Sequence, residues 1–506
     1  MASVLASCTA KFEEFNKSPF DPTPDQMGDA LLGQYLQNMQ EVLVQGQQND
    51  SQMIDQMIGS EFGGYTCCIN PWGGTNFYTY NPSTGWEGYP FDTMVPQIFT
   101  PYIQVVDITK GIGPAYAWAQ ILKVYGAYIL NGMYGPIAYS KIDGENLTVE
   151  YDSEEVLFDA MFADLNEGIS TLTAAVLSGE DMSSLAPFDY VYGADFSKWV
   201  KFANTLKLRM AMRISNVKPG LAQEMAEEAV NAPYGVISAK GDAAWSTFND
   251  GMNPYYRAEV SWGDLRLSAN VSSYLGGYND PRLAVYASAG SYEEGMGVVG
   301  VRSGISHTNS SHSAYQKFSK TMIGEKDPLL VISAAESYFL RAEGALKGWN
   351  MGGTAKELYE AGVTVSMEER GATIGDYLSS EATPADYEDP YYTSRSVSAV
   401  TTVCPKYDES ASTATNLERI LVQKWIASFP NGWERWGDFR RTGYPKMFPV
   451  VNNKSTEGVG SATGMRRIPY SEKEYNTNEA NVKAAVNAYL GGQDTGATDL
   501  WWAKNN

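Results

Sequence analysis

Residues 333–371, SAAESYFLRAEGALKGWNMGGTAKELYEAGVTVSMEERG, read as two helices folded back on each other. In the first, Ala335, Phe339, Ala342 and Leu346 recur at helical spacing. The glycines from 348 to 353 turn the chain, and Thr354 stands where an N-cap belongs. On the return helix Ala355, Tyr359, Val363 and Met367 share one face. Small alanines beside large rings, in a helical hairpin of this length, look like a tetratricopeptide-type unit. Such a unit cannot bury its apolar face alone, so it predicts stacked neighbours.

Working outward, further helical segments appear. Thr23-Pro24-Asp25-Gln26 reads as a capping box before a run with Leu32, Tyr35 and Met39 on one face. A helix opening at Pro114 aligns Ala117, Ile121, Val124 and Tyr128, with a break expected at Gly132 and Gly135-Pro136-Ile137. From about Glu154, Leu157, Met161, Leu165 and Ile169 recur at helical intervals. Another segment carries Trp199, Phe202, Leu206 and Met210. A mainly α fold of tetratricopeptide-like helical pairs is therefore expected, with residues 9–506 forming one domain.

Between the helices lie long irregular stretches. Residues 60–92, SEFGGYTCCINPWGGTNFYTYNPSTGWEGYPFD, are rich in Gly, Pro, Asn and aromatics. Residues 241–280 bring Trp245, Tyr255, Tyr256, Trp262, Tyr274 and Tyr278. Loops of this length inside a compact domain are usually functional. The Ser/Thr/Asp/Glu-rich segment 371–412 reads as a solvated excursion, and so does SGISHTNSSHS around the only two histidines, His307 and His312.

Composition narrows the function. Net charge is −22, which repels phosphate backbones and argues against nucleic acid as a partner. No apolar run approaches the length of a membrane span. The four cysteines, Cys8, Cys67, Cys68 and Cys404, have no zinc-site spacing, and the adjacent pair is poorly placed for a disulfide. No phosphate loop, nucleophile elbow or acid-pair motif appears, so neither a catalytic residue nor a cofactor or metal ligand is expected. At the N-terminus, Leu5-Ala6-Ser7-Cys8 matches a lipobox, which makes residues 1–8 a residual signal and Cys8 the expected lipidation site. Several acyl chains on that cysteine would anchor the protein stably.

The stretches KVYGAYILNGMYGPIAYSK, FSKWVKFANTLKLRMAMRIS, ISAAESYFLRAEGALKGW, QKWIASFPNGWERWGDFRRTGYP, RRIPYSEKEYNTNEANV and LGGQDTGATDLWW together resemble the SusD/RagB family of nutrient-binding outer-membrane lipoproteins of Bacteroidetes. RRTGYP followed by a proline-containing loop is closest to the SusD-like branch. Glu13 and Glu14, just after Cys8, resemble a surface-export signal of such lipoproteins. The resemblance implies a helical scaffold carrying a loop-rich half that binds ligand. It also implies a TonB-dependent, SusC-like outer-membrane barrel as partner, over which the protein sits as a lid. Within these motifs, Arg440 and Arg441 beside Glu434 and Asp438 are expected in a buried ion-pair network, and Trp433 and Trp436 against neighbouring helices.

A sugar needs flat apolar faces and a few hydrogen-bonding side chains. The 60–92 loop offers Trp72, Phe77, Tyr78, Tyr80 and Trp86 as platforms, with Asn70, Asn76 and Asn81 as polar partners. The family resemblance favours Trp72 and Trp86, because relatives place ligand-binding aromatics in the corresponding loop. The second aromatic cluster adds Trp262 and Tyr278, with Arg266 as a charged partner. The aromatic content points to glycan capture at the cell surface. An oligopeptide cargo, as in RagB-type relatives, is the alternative within transport; a secreted helical glycosidase or a passive surface-layer protein lies outside it.

Overall fold

The computed structural model describes residues 24–146, 148–247 and 251–504. The expected lipid anchor at Cys8, the acidic pair Glu13 and Glu14, and the cap residue Thr23 lie outside the described residues. The chain is mainly helical, as expected, with two short two-stranded sheets. Its longer helices are α1 (Pro24–Met39), α2 (Thr84–Thr109), α3 (Pro114–Tyr134), α4 (Glu154–Ser178), α5 (Phe196–Arg213), α6 (Pro219–Asn231), α7 (Ala269–Gly277), α8 (Ala334–Leu346), α9 (Ala355–Arg370), α10 (Thr413–Ala427), α11 (Trp433–Thr442) and α12 (Glu479–Tyr489). The strands are β1 (Thr66–Cys68), β2 (Ala244–Ser246), β3 (Leu265–Leu267) and β4 (Leu329–Ile332).

The hairpin read from residues 333–371 is α8 and α9. Thr354 caps α9 reciprocally: its hydroxyl accepts from Glu357 N at 3.2 Å, and Thr354 N donates back to Glu357 Oε2 at 2.9 Å. Large beside small is a steric requirement here, since a Cβ on Gly362 would meet the Phe339 ring at 2.8 Å. The scaffold then grows by neighbour contacts, α3 on α4, α4 on α5, α5 on α6, α5 on α8, and α8 on both α9 and α10. All four aligned residues of α3 and of α5 are buried, as are Leu157, Met161 and Leu165 of α4.

Two expectations about helix boundaries change. α3 runs through Gly132 and stops at Gly135, whose φ of 84° suits glycine and whose N–H returns to Asn131 O. Gly132 stays helical because α3 is buried all along its length, so packing outweighs glycine's weak helix preference. The end of the 60–92 stretch is likewise helical: α2 starts at Thr84, capped by Ser83, and continues through Pro90, Pro96 and Pro101. Three prolines hid this helix, because each removes a backbone donor. Packing against α1 and α3 sustains it.

The family motif around α11 builds the centre of the scaffold. Four carboxylates (Glu336, Glu343, Glu434, Asp438) meet four cations (Arg209, Arg213, Lys424, Arg441) with almost no access to water. Arg209 Nε lies 2.7 Å from Glu336 Oε1, and Arg213 Nη2 lies 3.0 Å from Glu434 Oε1. Arg441 Nη1 lies 2.6 Å from Glu343 Oε1, and Lys424 Nζ lies 2.8 Å from Asp438 Oδ2. Arg440 stands outside the network. It lies over the Trp436 ring at 3.6 Å and donates to the carbonyls of Gly132 and Arg466.

The loop-rich half joins this scaffold at a glycine crossing. A Cβ on Gly432 would lie 1.9 Å from Gly59 O, so two backbones touch there without room for a side chain. Gly432→Ala is expected to lower stability by about 1–3 kcal/mol through overpacking, read as a lower denaturant midpoint at unchanged slope. An unchanged midpoint would refute a tight junction.

Candidate ligand-binding face

The loop half is organised by β1 and β3, paired antiparallel with Cys67 opposite Arg266 and Cys68 opposite Leu265. Adjacent strand residues face opposite ways. Cys68 enters the main core, while Cys67 enters a smaller cluster with Ile69, Val301, Ile305, Tyr315 and Phe318. Both are free thiols, pushed up by burial. Past the ladder, Ile69 N donates to Asp264 O at 2.8 Å and Asn70 Nδ2 donates to Asp264 Oδ1 at 2.8 Å. This brings the chain around Trp72 beside the chain around Trp262, so the two aromatic stretches noted in the sequence meet.

Trp72 adopts φ 34°, a left-handed conformation uncommon for a non-glycine residue, and Gly73 and Gly74 continue at φ 73° and 92°. Asn70 Oδ1 accepts from Trp72 N at 3.2 Å and helps hold the turn. The Trp72 indole meets Trp86 edge to face, with centroids 5.6 Å apart and planes at 85°. Trp86, in the first turn of α2, stacks on buried Phe77 at 6.3 Å, and Phe77 meets Phe62 at 6.2 Å. Trp72 and Trp86 are both half-buried, forming an L-shaped pair braced against the core. Trp262, 36% exposed, is the most exposed ring of the second aromatic stretch.

Five of the other expected contacts are turned inward, while Asn70, Tyr80 and Asn81 are half-buried. Phe77 is wholly buried as the support for Trp86, and Tyr78 is buried with its hydroxyl donating to Asn70 O at 2.8 Å. Asn76 is buried, its Nδ2 donating to Pro71 O at 3.4 Å. Arg266 spends its guanidinium on the carbonyls of Gln316, Glu259 and Leu265. Tyr278 donates to Val403 O at 2.7 Å inside the core. As placed, Phe77, Tyr78, Asn76 and Arg266 brace the segments that carry Trp72, Trp86 and Trp262, whereas Tyr278 belongs to the core. A loop rich in rings must bury most of them to hold a few outward, and sequence alone did not separate the two groups. Asp264 was missed altogether; its partners Gln52 and Asn70 lie about two hundred positions away.

The histidine-bearing stretch is not a solvated loop. Thr308 caps a short helix (Asn309–Tyr315), and His307 is buried between the rings of Tyr78 and Tyr315 at 6.0 and 5.4 Å. Burial, helped by Arg395 and His312, lowers His307 to about 3. Among the described residues, no group of three or more His, Cys, Asp or Glu is placed to hold a metal ion.

Several buried carboxyls carry the opposite shift. Burial pushes Asp55, Glu61, Glu259 and Glu369 up to about 7 each. From the usual carboxylate range up to that value, the folded protein holds protons that the unfolded chain has released. Stability should therefore fall as pH rises through this window, with the loss complete above about 7. His307 acts in the opposite sense below its ordinary value of 6.5, while Glu87, pushed up to about 8 by burial, extends the carboxyls' loss slightly further. Thermal midpoints are expected to decline from pH 5 to pH 8; a rising profile would contradict these assignments.

The family model for SusD-like proteins, described as SusD and RagB outer membrane lipoproteins, matches residues 14–503. The sequence has no match among curated proteins. Among solved structures, a SusD-like protein from Bacteroides thetaiotaomicron is 39% identical, with TM-score 0.89 over 93% of this chain and 98% of that one. A chitin-binding SusD homologue from Flavobacterium johnsoniae is 36% identical, with TM-score 0.90 over 94% of this chain and 99% of that one. A SusD homologue from Bacteroides uniformis is 38% identical, with TM-score 0.87 over 94% and 99%. The chain belongs to the SusD-like family of outer-membrane lipoproteins. No helix among the described residues is long and apolar enough to cross a membrane.

Proposed function

We propose that this protein is a surface-exposed lipoprotein, anchored in the outer membrane through Cys8, that captures nutrient glycans and passes them to a TonB-dependent, SusC-like transporter without cleaving them. The observation that carries the reading is the Trp72–Trp86 pair: two half-exposed indoles at right angles, one held by a strained turn and the other by the first turn of a long helix. Flat faces in fixed relation suit the C–H surfaces of a sugar, and pre-organisation spares the ordering cost of binding. The chitin-binding relative supports a glycan over an oligopeptide. The net charge of −22 favours uncharged chains over polyanionic ones.

The test is retention of the purified protein on insoluble or gel-embedded polysaccharides (chitin, starch, xylan and β-glucan), beside a peptide digest, with reducing ends measured in the supernatant. Saturable retention on a polysaccharide with no new reducing ends supports glycan capture. Retention of peptides alone would move the cargo to oligopeptides. Released sugars would make the protein a glycosidase.

A further inference from the structure

A second set of rings lies on the same half of the molecule, with Tyr391 and Tyr392 in the 371–412 segment expected to be solvated and Tyr292 outside it. Tyr392 is 54% exposed; Tyr391 and Tyr292 are half-buried beside it, with centroids 6.5 Å from Tyr391 to Tyr392 and 5.8 Å from Tyr391 to Tyr292. The Arg395 guanidinium lies 4.9 Å from the Tyr392 ring and donates to Tyr315 Oη at 2.6 Å. Asp389 fixes the turn, accepting from Tyr391 N and Tyr392 N at 2.9 Å each through Oδ1 and from Tyr315 Oη at 2.6 Å through Oδ2. Tyr392 is thus a positioned ring, held from below and open above.

We propose that Tyr392, with Tyr391, Tyr292 and Arg395, forms a second glycan subsite, so that the protein grips an extended neutral chain at two places. This rests on the glycan reading of the Trp72–Trp86 pair. A buried line of rings joins the two surfaces: Tyr78 meets His307, His307 meets Tyr315 and Tyr315 meets Tyr391, with centroids 5.4–6.0 Å apart. The cluster containing Cys67 and Ile69 lies beneath Tyr292 and Tyr391, tying them to the β1 strand that leads to Trp72. Two platforms in fixed relation raise the effective concentration of a ligand that spans both and give nothing to one that does not. Exposed Glu293, Glu294 and Glu388 border the tyrosines and repel carboxylated or sulfated chains. One open ring flanked by two half-buried ones is far smaller than a stable protein interface of about 1,600 Å².

Calorimetry on the wild type, Tyr392→Ala, Tyr392→Phe and Trp72→Ala tests this, using the disaccharide and a long oligosaccharide of N-acetylglucosamine, α-1,4-glucose, β-1,4-xylose and β-glucose as probes. Tyr392→Ala should weaken the long oligomer by at least about tenfold and leave the disaccharide and the melting temperature unchanged. Tyr392→Phe should keep most of the affinity. Equal long-oligomer affinity in Tyr392→Ala and wild type overturns the second subsite. If Trp72→Ala also binds as wild type does, or if wild type binds none of the probes, the glycan reading falls and the second subsite falls with it.

Discussion

Glu434→Ala should bring the protein close to unfolding at room temperature. Glu434 is buried on α11 and accepts from Arg213 at 3.0 Å and from the Tyr128 hydroxyl at 2.9 Å, with Lys424 at 3.6 Å and Arg209 at 3.8 Å. Burial alone would raise its pKa, but Arg213, Arg209 and Lys424 outweigh burial and bring it to about 2. Removing the carboxylate leaves cations facing one another without water. Breaking a buried pair costs about 3–5 kcal/mol, a large part of the roughly 5–15 kcal/mol by which native proteins are stable. The denaturant midpoint should drop accordingly, and Glu434→Gln, which keeps an acceptor but not the charge, should fall between. The pH dependence has a definite sign: the depressed carboxyl contributes its stability above about 4.5 and loses it as pH falls toward about 2. An alanine variant as stable as wild type would show that the network is not the keystone of the scaffold.

The second large effect concerns binding and leaves the fold alone. Trp72→Ala combined with Trp86→Ala removes the right-angled indole pair while Phe77 remains in the core. Buried aromatic anchors typically cost about 2 kcal/mol or more when truncated, so each change should weaken glycan binding by about thirtyfold and the pair should abolish measurable retention. Trp72→Ala trades ring packing for the same left-handed backbone, so its melting temperature should move little. The control is Arg266→Lys. Its guanidinium is spent on backbone carbonyls, and its loss should cost stability before affinity.

These variants follow the line between what the sequence disclosed and what it hid. The α8–α9 hairpin was legible because capping chemistry, glycine turn and periodicity all agreed over residues 333–371. The buried network was legible in outline, since charges of both signs crowd the α11 motif. Arg441 and Arg440 could not be told apart, however, because their partners come from other helices. α2 was concealed by its three prolines, where tertiary packing overrides local preference. In the candidate face, the two ring-rich segments stood out in the sequence, yet which of their rings reach the surface is set by pairings such as β1 with β3 across two hundred residues. Tyr392 went unnoticed for the converse reason: a segment dominated by polar residues gives no sign that one ring in it is stacked and held open.

In the proposed function the Trp72–Trp86 face captures a glycan and releases it intact. The most direct measurement titrates wild-type protein and the Trp72→Ala, Trp86→Ala double variant with a soluble oligosaccharide of the polysaccharide that retains the protein, following heat and analysing the sugar afterwards. Capture at this face predicts saturable binding by the wild type, none by the double variant, and recovery of the oligosaccharide at its original length. Equal binding by both proteins, or shortened products, would contradict it.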